Sequence, residues 1–260
     1  MKFILNTFFI FSVMSFSLKA ADKRLPIKGE TFEVEKHTAF VIMPEQYDKS
    51  KAIPWLWYAP TLRGLPSKME KWMFEELLKE GIAIAGIDVG ESMGNSKGRA
   101  LFSALYKELT EKRGFSKKAS LIARSRGGLM QYNWAVENPE KVACIAGIYP
   151  VCNLASYPGL KRASSAYGTD VAGLEKILKA NNPIDRLAPL AKAKVPIFHI
   201  HGDVDKVVPL EKNTAIVAER YKQMGGPITV EVPKGQGHNF WKGFFESKTM
   251  LKFIIKHSKK

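Results

Sequence analysis

Cysteine is scarce in this sequence, because the 260 residues include only Cys144 and Cys152. Two cysteines without the close spacing of metal ligands predict no zinc site. Cys144 lies inside the apolar run VACIAGIYPV, which predicts a buried strand, and Cys152 follows that run directly. An extended chain would hold the two α-carbons beyond the reach of a disulfide. We therefore expect two free, partly buried thiols.

Repeats and low-complexity tracts are absent, and so are long hydrophobic runs after residue 20. Hydrophobic residues make up 45% of the chain and charged residues 25%, a globular balance that excludes an intrinsically disordered protein. A length of 260 residues suits one α/β domain with a single core, and a second domain is not required. We expect this domain to occupy residues 21–260.

The first 20 residues, MKFILNTFFIFSVMSFSLKA, have a basic start, an apolar run and a small-residue exit at Ala20 and Ala21. This pattern is typical of a secretory signal peptide over residues 1–20. A membrane anchor is the alternative, but the run is short for a span of about 20 residues. A lipoprotein anchor is not expected, since no cysteine follows the run. We predict cleavage near Ala20 or Ala21, a secreted or periplasmic protein, and no stable membrane insertion after cleavage.

Acidic residues are few relative to basic ones, with 25 Asp and Glu against 40 Lys and Arg, a formal charge of +15. Removing Lys2 and Lys19 with the predicted signal peptide takes two charges from +15 and leaves +13. The lysines are scattered, which is typical of a solvated surface, so nucleic-acid binding is not predicted. Attraction to an anionic polymer such as an acidic polysaccharide stays open.

Apolar runs alternate with stretches of helical spacing through most of the chain. This alternation is typical of a mostly parallel central sheet flanked by helices, an α/β fold. Residues 31–44 predict two early strands or a hairpin, and the less regular segment 153–194 predicts a helix at GLEKILKA. The other predicted strands are 53–60, 82–90, 116–125, 142–151, 195–203 and 228–233, and the other predicted helices are 67–81, 97–114, 127–139 and 240–257.

A serine stands where a predicted strand passes directly into a predicted helix. The segment 123–127, Ala-Arg-Ser-Arg-Gly, matches the pattern G-x-S-x-G except that alanine replaces the first glycine. Small residues two places before and two places after Ser125 permit a tight turn that exposes its hydroxyl. A serine hydroxyl is a weak nucleophile that needs a base, a group that orients the base, and donors for the oxyanion.

The candidate acid and base follow this serine in the chain. The segment HGDVDKVVP comes after a predicted strand and places Asp205 before KVVP, whereas Asp203 is interpreted as a turn residue that bonds its own backbone. The segment GQGHNFW follows the last predicted strand and places His238 on a glycine-flanked loop. The other histidines are interpreted as surface residues, and they are His37, His199, His201 and His257.

These three loops together resemble the catalytic loops of the α/β-hydrolase superfamily, in which the order is serine, acid, histidine. The resemblance covers roughly residue 30 to the end, and the acid loop is similar to that of esterases and prolyl-oligopeptidase-type peptidases. It implies a catalytic triad of Ser125, Asp205 and His238 that needs no cofactor and no metal. It also implies a small lid or none, because segment 153–185 is too short for a large cap.

The resemblance further implies an oxyanion hole made of two backbone N–H groups. One N–H group belongs to Arg126, and the other belongs to Thr61 or Leu62 in the loop after the third predicted strand. Arg63, Arg124 and Trp241 are candidate substrate-binding residues. The alternative for the arginines that flank the serine is that at least one points to solvent or pairs with a buried acid such as Asp88.

Three hypotheses for function follow. The first is a secreted serine carboxylesterase that hydrolyses small esters or acyl groups on polysaccharide through an acyl-enzyme. The second is a serine peptidase of the prolyl-oligopeptidase type. The third is a non-catalytic binding protein on a hydrolase scaffold, and an intact serine, acid and histidine set argues against it.

Overall fold

One sheet organises the part of the chain that the computed structural model describes, residues 23–62 and 64–259; the predicted signal peptide and Arg63 lie outside the described residues. Within these ranges the strands are β1 (Glu30–Val34), β2 (His37–Ile42), β3 (Trp55–Ala59), β4 (Ala83–Ile87), β5 (Ala119–Arg124), β6 (Val142–Ile148), β7 (Ile197–Ile200) and β8 (Ile228–Glu231). Their order across the sheet is β1-β2-β4-β3-β5-β6-β7-β8. The strands β3 to β8 pair in parallel, and β2 pairs antiparallel with both β1 and β4. The predicted α/β fold is thus confirmed.

The first two strands form a hairpin, one of the two forms predicted for residues 31–44. Val34 pairs with His37, so the turn contains only Glu35 and Lys36. Both turn residues have positive φ, of 49° and 63°. A two-residue turn with positive φ at both positions matches the right-handed twist of the strands that it joins.

Helices cover both faces of the sheet, as crossover connections between parallel strands require. Alternate residues of β3 point to opposite faces, so Trp55 and Trp57 pack in one apolar core while Leu56 and Tyr58 pack in the other. No helix within the described ranges is long and apolar enough to cross a bilayer. The helices are α1 (Lys71–Lys79), α2 (Ser96–Lys107), α3 (Gly127–Ala135), α4 (Leu160–Ala166), α5 (Val171–Ile177), α6 (Ala188–Lys192), α7 (Thr214–Gln223), α8 (Lys242–Phe245) and α9 (Lys248–Ser258).

Two predicted helices end or divide earlier than the sequence suggests. The helix predicted at 97–114 is α2 followed by one wider π-helical turn, Glu108–Lys112. The tail predicted as one helix consists of α8 and α9, because Ser247 leaves helical geometry and its hydroxyl accepts from the N–H of Met250 to cap α9. The segment after β6 forms α4 and α5, of seven residues each, which is consistent with the expected small lid or none.

The carboxyl ends of the parallel strands meet at one edge of the sheet. There β3 ends before Pro60, β5 ends before Ser125, and β7 ends before His201. The chain after β8 returns to the same edge with the loop that carries His238. Ligands of open α/β sheets bind at this edge, and the candidate site lies here.

Both cysteines are free and buried. They are fully rather than partly buried, with exposed fractions of 0%. Burial raises the pKa of the Cys144 thiol to about 12 and raises that of Cys152 further. A buried, protonated thiol is a poor nucleophile.

We therefore predict that neither thiol reacts with 5,5′-dithiobis(2-nitrobenzoic acid) in the native protein, and that both react after unfolding in guanidinium chloride. Burial excludes the reagent, and the raised pKa removes the thiolate that attacks it. The release of thionitrobenzoate, followed by absorbance with and without denaturant, measures this. A thiol that reacts quickly in the native protein would contradict the described packing.

Candidate active site

Ser125 occupies a tight turn between β5 and α3, with φ of 49°. Positive φ is uncommon for a residue with a side chain, and it persists only where the surroundings enforce it. Here the Ser125 N–H donates to the carbonyl of Ile148 at 3.0 Å. Its own carbonyl accepts from the N–H groups of Gly128 and Val151, at 2.9 and 2.8 Å. These backbone bonds hold the turn and leave the hydroxyl half-exposed at the sheet edge.

Two glycines after the serine are required by close backbone contacts. A Cβ atom at Gly127 would overlap the carbonyl oxygen of Ala59, and one at Gly128 would overlap the carbonyl oxygen of Val151. Neither backbone oxygen can move without shifting its strand or loop. Ala123, by contrast, lies fully buried inside β5. The strict requirement for glycine falls after the serine, and a methyl group is accommodated before it.

The structure brings together the three side chains that the sequence predicts for the triad. The hydroxyl oxygen of Ser125 lies 2.9 Å from Nε2 of His238. Nδ1 of the same ring lies 2.7 Å from Oδ2 of Asp205. A carboxylate only accepts, so Nδ1 carries the proton and, in the neutral ring, Nε2 accepts from the serine hydroxyl. This arrangement can take a proton from the hydroxyl and stabilise the charged imidazole that results.

Asp205 is held by its own loop as well as by His238. Oδ1 accepts from the N–H groups of Val207 and Val208, at 2.9 and 2.8 Å, while Oδ2 faces the imidazole. Burial disfavours the charged form, but the His201 and His238 imidazoles and the Val208 N–H together hold the pKa of Asp205 well below its usual range. The carboxyl group is therefore ionised at neutral pH.

The interpretation of Asp203 as a residue that bonds its own turn is wrong. Its Oδ1 accepts from the N–H of Gly235 at 2.7 Å, across to the loop that carries His238. Asp205 makes the local turn instead, through the two N–H groups that follow it. Asp203 thus ties the acid loop to the histidine loop from an exposed position.

Tyr149 supports the imidazole from the side. Its ring centroid lies 4.2 Å from that of His238, and its other side packs edge-on against Phe244 at 5.0 Å. Burial raises the pKa of Tyr149 to about 12, although the positive charge of Arg124 opposes this, so the phenol is uncharged at neutral pH. The histidine loop therefore rests on a buried aromatic surface rather than on a charged group.

The predicted oxyanion donors belong to two segments, the turn after β5 and the loop after β3. Arg126 directly precedes α3, where backbone N–H groups have no partner within the helix. Thr61 is buried, its hydroxyl donates to the carbonyl of Ile87, and its backbone forms an isolated bridge with Asp88. Leu62 follows it and is half-buried. These bonds fix the loop after β3 beside the nucleophile turn.

A cavity of about 190 Å³ opens beside Ser125. Four lining residues are candidates from the sequence, namely Arg124, Ser125, Arg126 and His238, whereas Pro60, Leu65, Asn239 and Phe240 are not. Those residues have no motif of their own, and only their proximity to the predicted loops marks them. The cavity is lined by Pro60, Leu65, Arg124, Ser125, Arg126, Tyr149, His238, Asn239 and Phe240.

The two arginines beside the serine have different surroundings. Arg124 is buried and pairs with Oε1 of Glu70 at 2.5 Å, and Glu70 also accepts from the Tyr58 hydroxyl at 3.0 Å. Arg126 pairs with Glu91 at the surface. Pairing with a buried acid was expected for one of them, but the acid is Glu70, not Asp88.

Trp241 lies beside the cavity rather than in its wall. It is 40% exposed, and its ring packs edge-on against Phe244 at 5.3 Å. The preceding residue, Phe240, lines the cavity and is 64% exposed. Phe240 therefore replaces Trp241 as the candidate aromatic contact for a substrate, and Trp241 lies outside the cavity wall.

A larger groove of about 1050 Å³ lies between the β1–β2 hairpin and α1. Its wall includes Ile27, Met43 and Leu78, and none of the triad residues lines it. Volume alone does not define a reactive site. The smaller cavity is lined by Ser125 and His238, and the Asp205 carboxylate pairs with the imidazole from behind.

The nucleophile turn, with an imidazole and a carboxylate at the carboxyl edge of a mostly parallel sheet, defines a serine hydrolase of the α/β-hydrolase superfamily. A model of the prolyl oligopeptidase family matches residues 102–260, more than half of the chain. The chain therefore belongs to the prolyl oligopeptidase family.

Solved structures share the fold at low sequence identity. A puromycin-hydrolysing peptidase of Mycobacterium tuberculosis superposes with a TM-score of 0.72 and 13% identity, covering 88% of this chain and 40% of that chain. The acylaminoacyl peptidase of Pyrococcus horikoshii gives 0.70 and 15%, covering 90% and 42%. This chain thus spans about two fifths of those proteins. The Mycobacterium tuberculosis protein MPT51 gives 0.65 and 12%, covering 89% of this chain and 99% of that one.

The lowered pKa of Asp205 predicts a specific acid sensitivity of folding. The folded-state pKa lies below the unfolded value of about 3.9, so the ionised carboxylate stabilises the fold above about pH 4. That stabilisation is lost as the pH falls below about 4 toward the folded-state pKa. We expect the free-energy difference between the wild type and Asp205→Asn to be largest at neutral pH and to shrink in acid. Urea unfolding from about pH 6 down to pH 2 measures it, and a difference that stays constant with pH would contradict the assignment.

Proposed function

We propose that the protein is a prolyl-oligopeptidase-type serine hydrolase that cleaves small acylated amides or peptides through an acyl-enzyme on Ser125. The observation that carries this proposal is the continuous set of hydrogen bonds from the serine hydroxyl through His238 to Asp205, at 2.9 and 2.7 Å, in the wall of a cavity. Membership of the prolyl oligopeptidase family supports peptide or amide cleavage better than the carboxylesterase hypothesis.

In the proposed mechanism the Ser125 hydroxyl attacks the substrate carbonyl while Nε2 of His238 takes its proton. Asp205 keeps the imidazole in the required tautomer and stabilises its charged form. The imidazolium then protonates the leaving amine, which departs and leaves an ester on Ser125. Water enters, His238 removes a proton from it, and the same steps in reverse order release the acid and restore the serine.

Backbone donors stabilise the oxyanion of both tetrahedral intermediates. The N–H of Arg126 is the proposed first donor, because Arg126 directly follows the nucleophile and is the N-cap residue of α3. Thr61 or Leu62 is proposed as the second, in the loop that packs against Gly127. Loss of one such donor typically costs about 100- to 1000-fold in rate.

The charges around the cavity favour a substrate whose acyl group carries no free amine. Its charged wall residues are Arg124 and Arg126, and no carboxylate is among the described residues that line it. The acidic partners of both arginines, Glu70 and Glu91, lie outside this wall, so an α-ammonium group would meet guanidinium groups and no carboxylate. A blocked amine or another group rich in hydrogen-bond acceptors matches the guanidinium donors.

Ester hydrolysis is a second candidate, because the exposed rim formed by Phe240 and Trp241 suits sugar or aryl rings. In this version the substrate is a small ester or an acyl group on a polysaccharide, and the basic surface attracts an acidic polymer. The N-terminal sequence supports export to the periplasm or the medium. Amino-terminal sequencing of protein recovered from those fractions tests export, with residue 21 or 22 as the expected first residue.

A substrate panel distinguishes these activities. We expect N-acetyl-alanine p-nitroanilide to be hydrolysed with a higher kcat/KM than alanine p-nitroanilide, because the blocked amine avoids an ammonium charge beside the arginines. p-Nitrophenyl acetate and acetylated xylan test the ester version. Preference for the free amine would contradict the charge argument. No turnover of any substrate, together with no labelling of Ser125 by a fluorophosphonate, would refute the hydrolase proposal.

Substitutions in the triad test the proposed roles. Ser125→Ala removes the nucleophile and should abolish both turnover and fluorophosphonate labelling while the circular dichroism spectrum stays unchanged. Asp205→Asn should lower kcat by about 10⁴-fold, because the amide favours the wrong tautomer of His238.

Asp203→Asn is the matched control, since it changes a carboxylate two residues away and keeps an oxygen to accept from Gly235. Its effect on kcat should be below about threefold, within the range of a surface substitution. If Asp203→Asn were the more damaging of the two, the acid would have been assigned to the wrong carboxylate.

A further inference from the structure

Four polar side chains form a buried network behind Asp205 and do not reach the cavity. They are Tyr132 on α3, His199 on β7, Thr214 at the start of α7 and His201 after β7, and each has an exposed fraction of 0%. The two histidines are therefore not surface residues, contrary to their interpretation from the sequence. A buried polar group is costly unless it is bonded, so the partners of these four are informative.

Short hydrogen bonds connect the four groups in series. The Tyr132 hydroxyl lies 2.7 Å from Nε2 of His199, and Nδ1 of His199 lies 3.0 Å from the Thr214 hydroxyl. The same hydroxyl lies 2.9 Å from Nδ1 of His201. The neighbouring strand leaves room for this network, because a Cβ atom at Gly147 would lie 2.6 Å from a ring carbon of His199.

The network ends on the loop that holds the catalytic carboxylate. Nε2 of His201 lies 2.8 Å from the carbonyl of Val208 and 3.4 Å from Oδ2 of Asp205. The N–H of Val208 donates to Oδ1 of the same carboxylate at 2.8 Å. His201 therefore fixes a residue that fixes Asp205, and it also places an N–H group close to the oxygen that faces His238.

The acceptors and donors assign the protons along the network. A carbonyl only accepts, so Nε2 of His201 carries a proton. When His201 is neutral, its Nδ1 accepts from the Thr214 hydroxyl. That hydroxyl has a single proton, so it must accept from Nδ1 of His199. Burial, with a smaller contribution from the charge of His201, lowers the pKa of His199 to about 3. His199 is thus neutral, and its Nε2 accepts from Tyr132.

Every hydrogen bond in this network is thus donated in the same direction, from Tyr132 toward Val208. We infer that His201 is a positioning residue, whose neutral Nε2–H tautomer orients Asp205 toward His238 without neutralising the carboxylate. The inference rests on the proposed function. Reversing every bond would require a doubly protonated His201 beside Asp205. Such a cation would compete with the charged His238 for the carboxylate, and it would weaken the support that the transition state needs.

The tautomers are measurable directly. Long-range ¹H–¹⁵N correlation spectra of the ¹⁵N-histidine-labelled protein near pH 7 distinguish a proton on Nδ1 from one on Nε2. We expect His199 with its proton on Nδ1 and His201 with its proton on Nε2, both neutral. A doubly protonated His201, or one protonated on Nδ1 alone, would overturn the inference.

Thr214 offers a sharp functional test, because Val and Thr have the same shape and Ser keeps the hydroxyl. Thr214→Val removes the link between the two histidines and should lower kcat by about 10- to 100-fold, the scale of a small displacement of a catalytic group. KM should change by less than about twofold, since no network residue lines the cavity. Thr214→Ser should recover most of the lost kcat, and in Thr214→Val the spectra should show His201 losing its single tautomer.

The control removes a buried hydroxyl elsewhere. Ser120→Ala deletes the 2.6 Å bond between Ser120 and Ser258 on the far side of the sheet, and kcat should stay at the wild-type value. If Thr214→Val also keeps kcat and the tautomers, the network has no positioning role.

The rate of fluorophosphonate labelling separates this inference from the proposed function. It reports the reactivity of Ser125 without a known substrate. A wild type that is neither labelled nor active on any substrate of the panel would refute the hydrolase proposal, while the tautomers would still test the proton order of the network. If the wild type is labelled and Thr214→Val is labelled at the same rate, the positioning role alone would be refuted.

Discussion

The parallel pairing of β3, β5, β6, β7 and β8 is the constraint on which the candidate site depends. Parallel strands end at a common edge, so residues more than 100 positions apart in the chain become neighbours there. Ser125 and His238 are separated by 113 positions and lie 2.9 Å apart. The sheet supplies the framework, while short-range backbone bonds at each strand end set the final orientation of Ser125 and Asp205.

The parts of the fold and site that the sequence predicts are those encoded locally. The apolar runs predict the strands because each buried strand must be apolar on both faces. Ser125 is recognisable because its turn needs small neighbours, and Gly127 shows the physical reason in its contact with Ala59. Asp205 and His238 are recognisable because loops after predicted strands carry them in the expected order. Each of these signals lies within about ten residues of chain.

The parts that the sequence does not predict depend on distant contacts. Glu70 lies in the turn directly before α1 and becomes the partner of Arg124 only when the chain folds, since 54 positions separate the two. Phe240 and Leu65 line the cavity because two loops approach each other, and neither residue belongs to a motif. The helix α7 was not predicted, although Thr214 at its start joins His199 to His201. A histidine in an apolar strand gives no local sign of the partners that keep it buried.

The acid loop has a buried inner side and an exposed outer side. Asp205 and Val208 are buried and bonded, whereas Val204 and Val207 on the same loop are 50% and 49% exposed. The bonds that hold the loop use backbone groups at Val207, so they do not depend on the identity of its side chain. The side chains of Val204 and Val207 can therefore diversify during evolution, or be randomised in a library, and alter what the protein presents at its surface without disturbing Asp205.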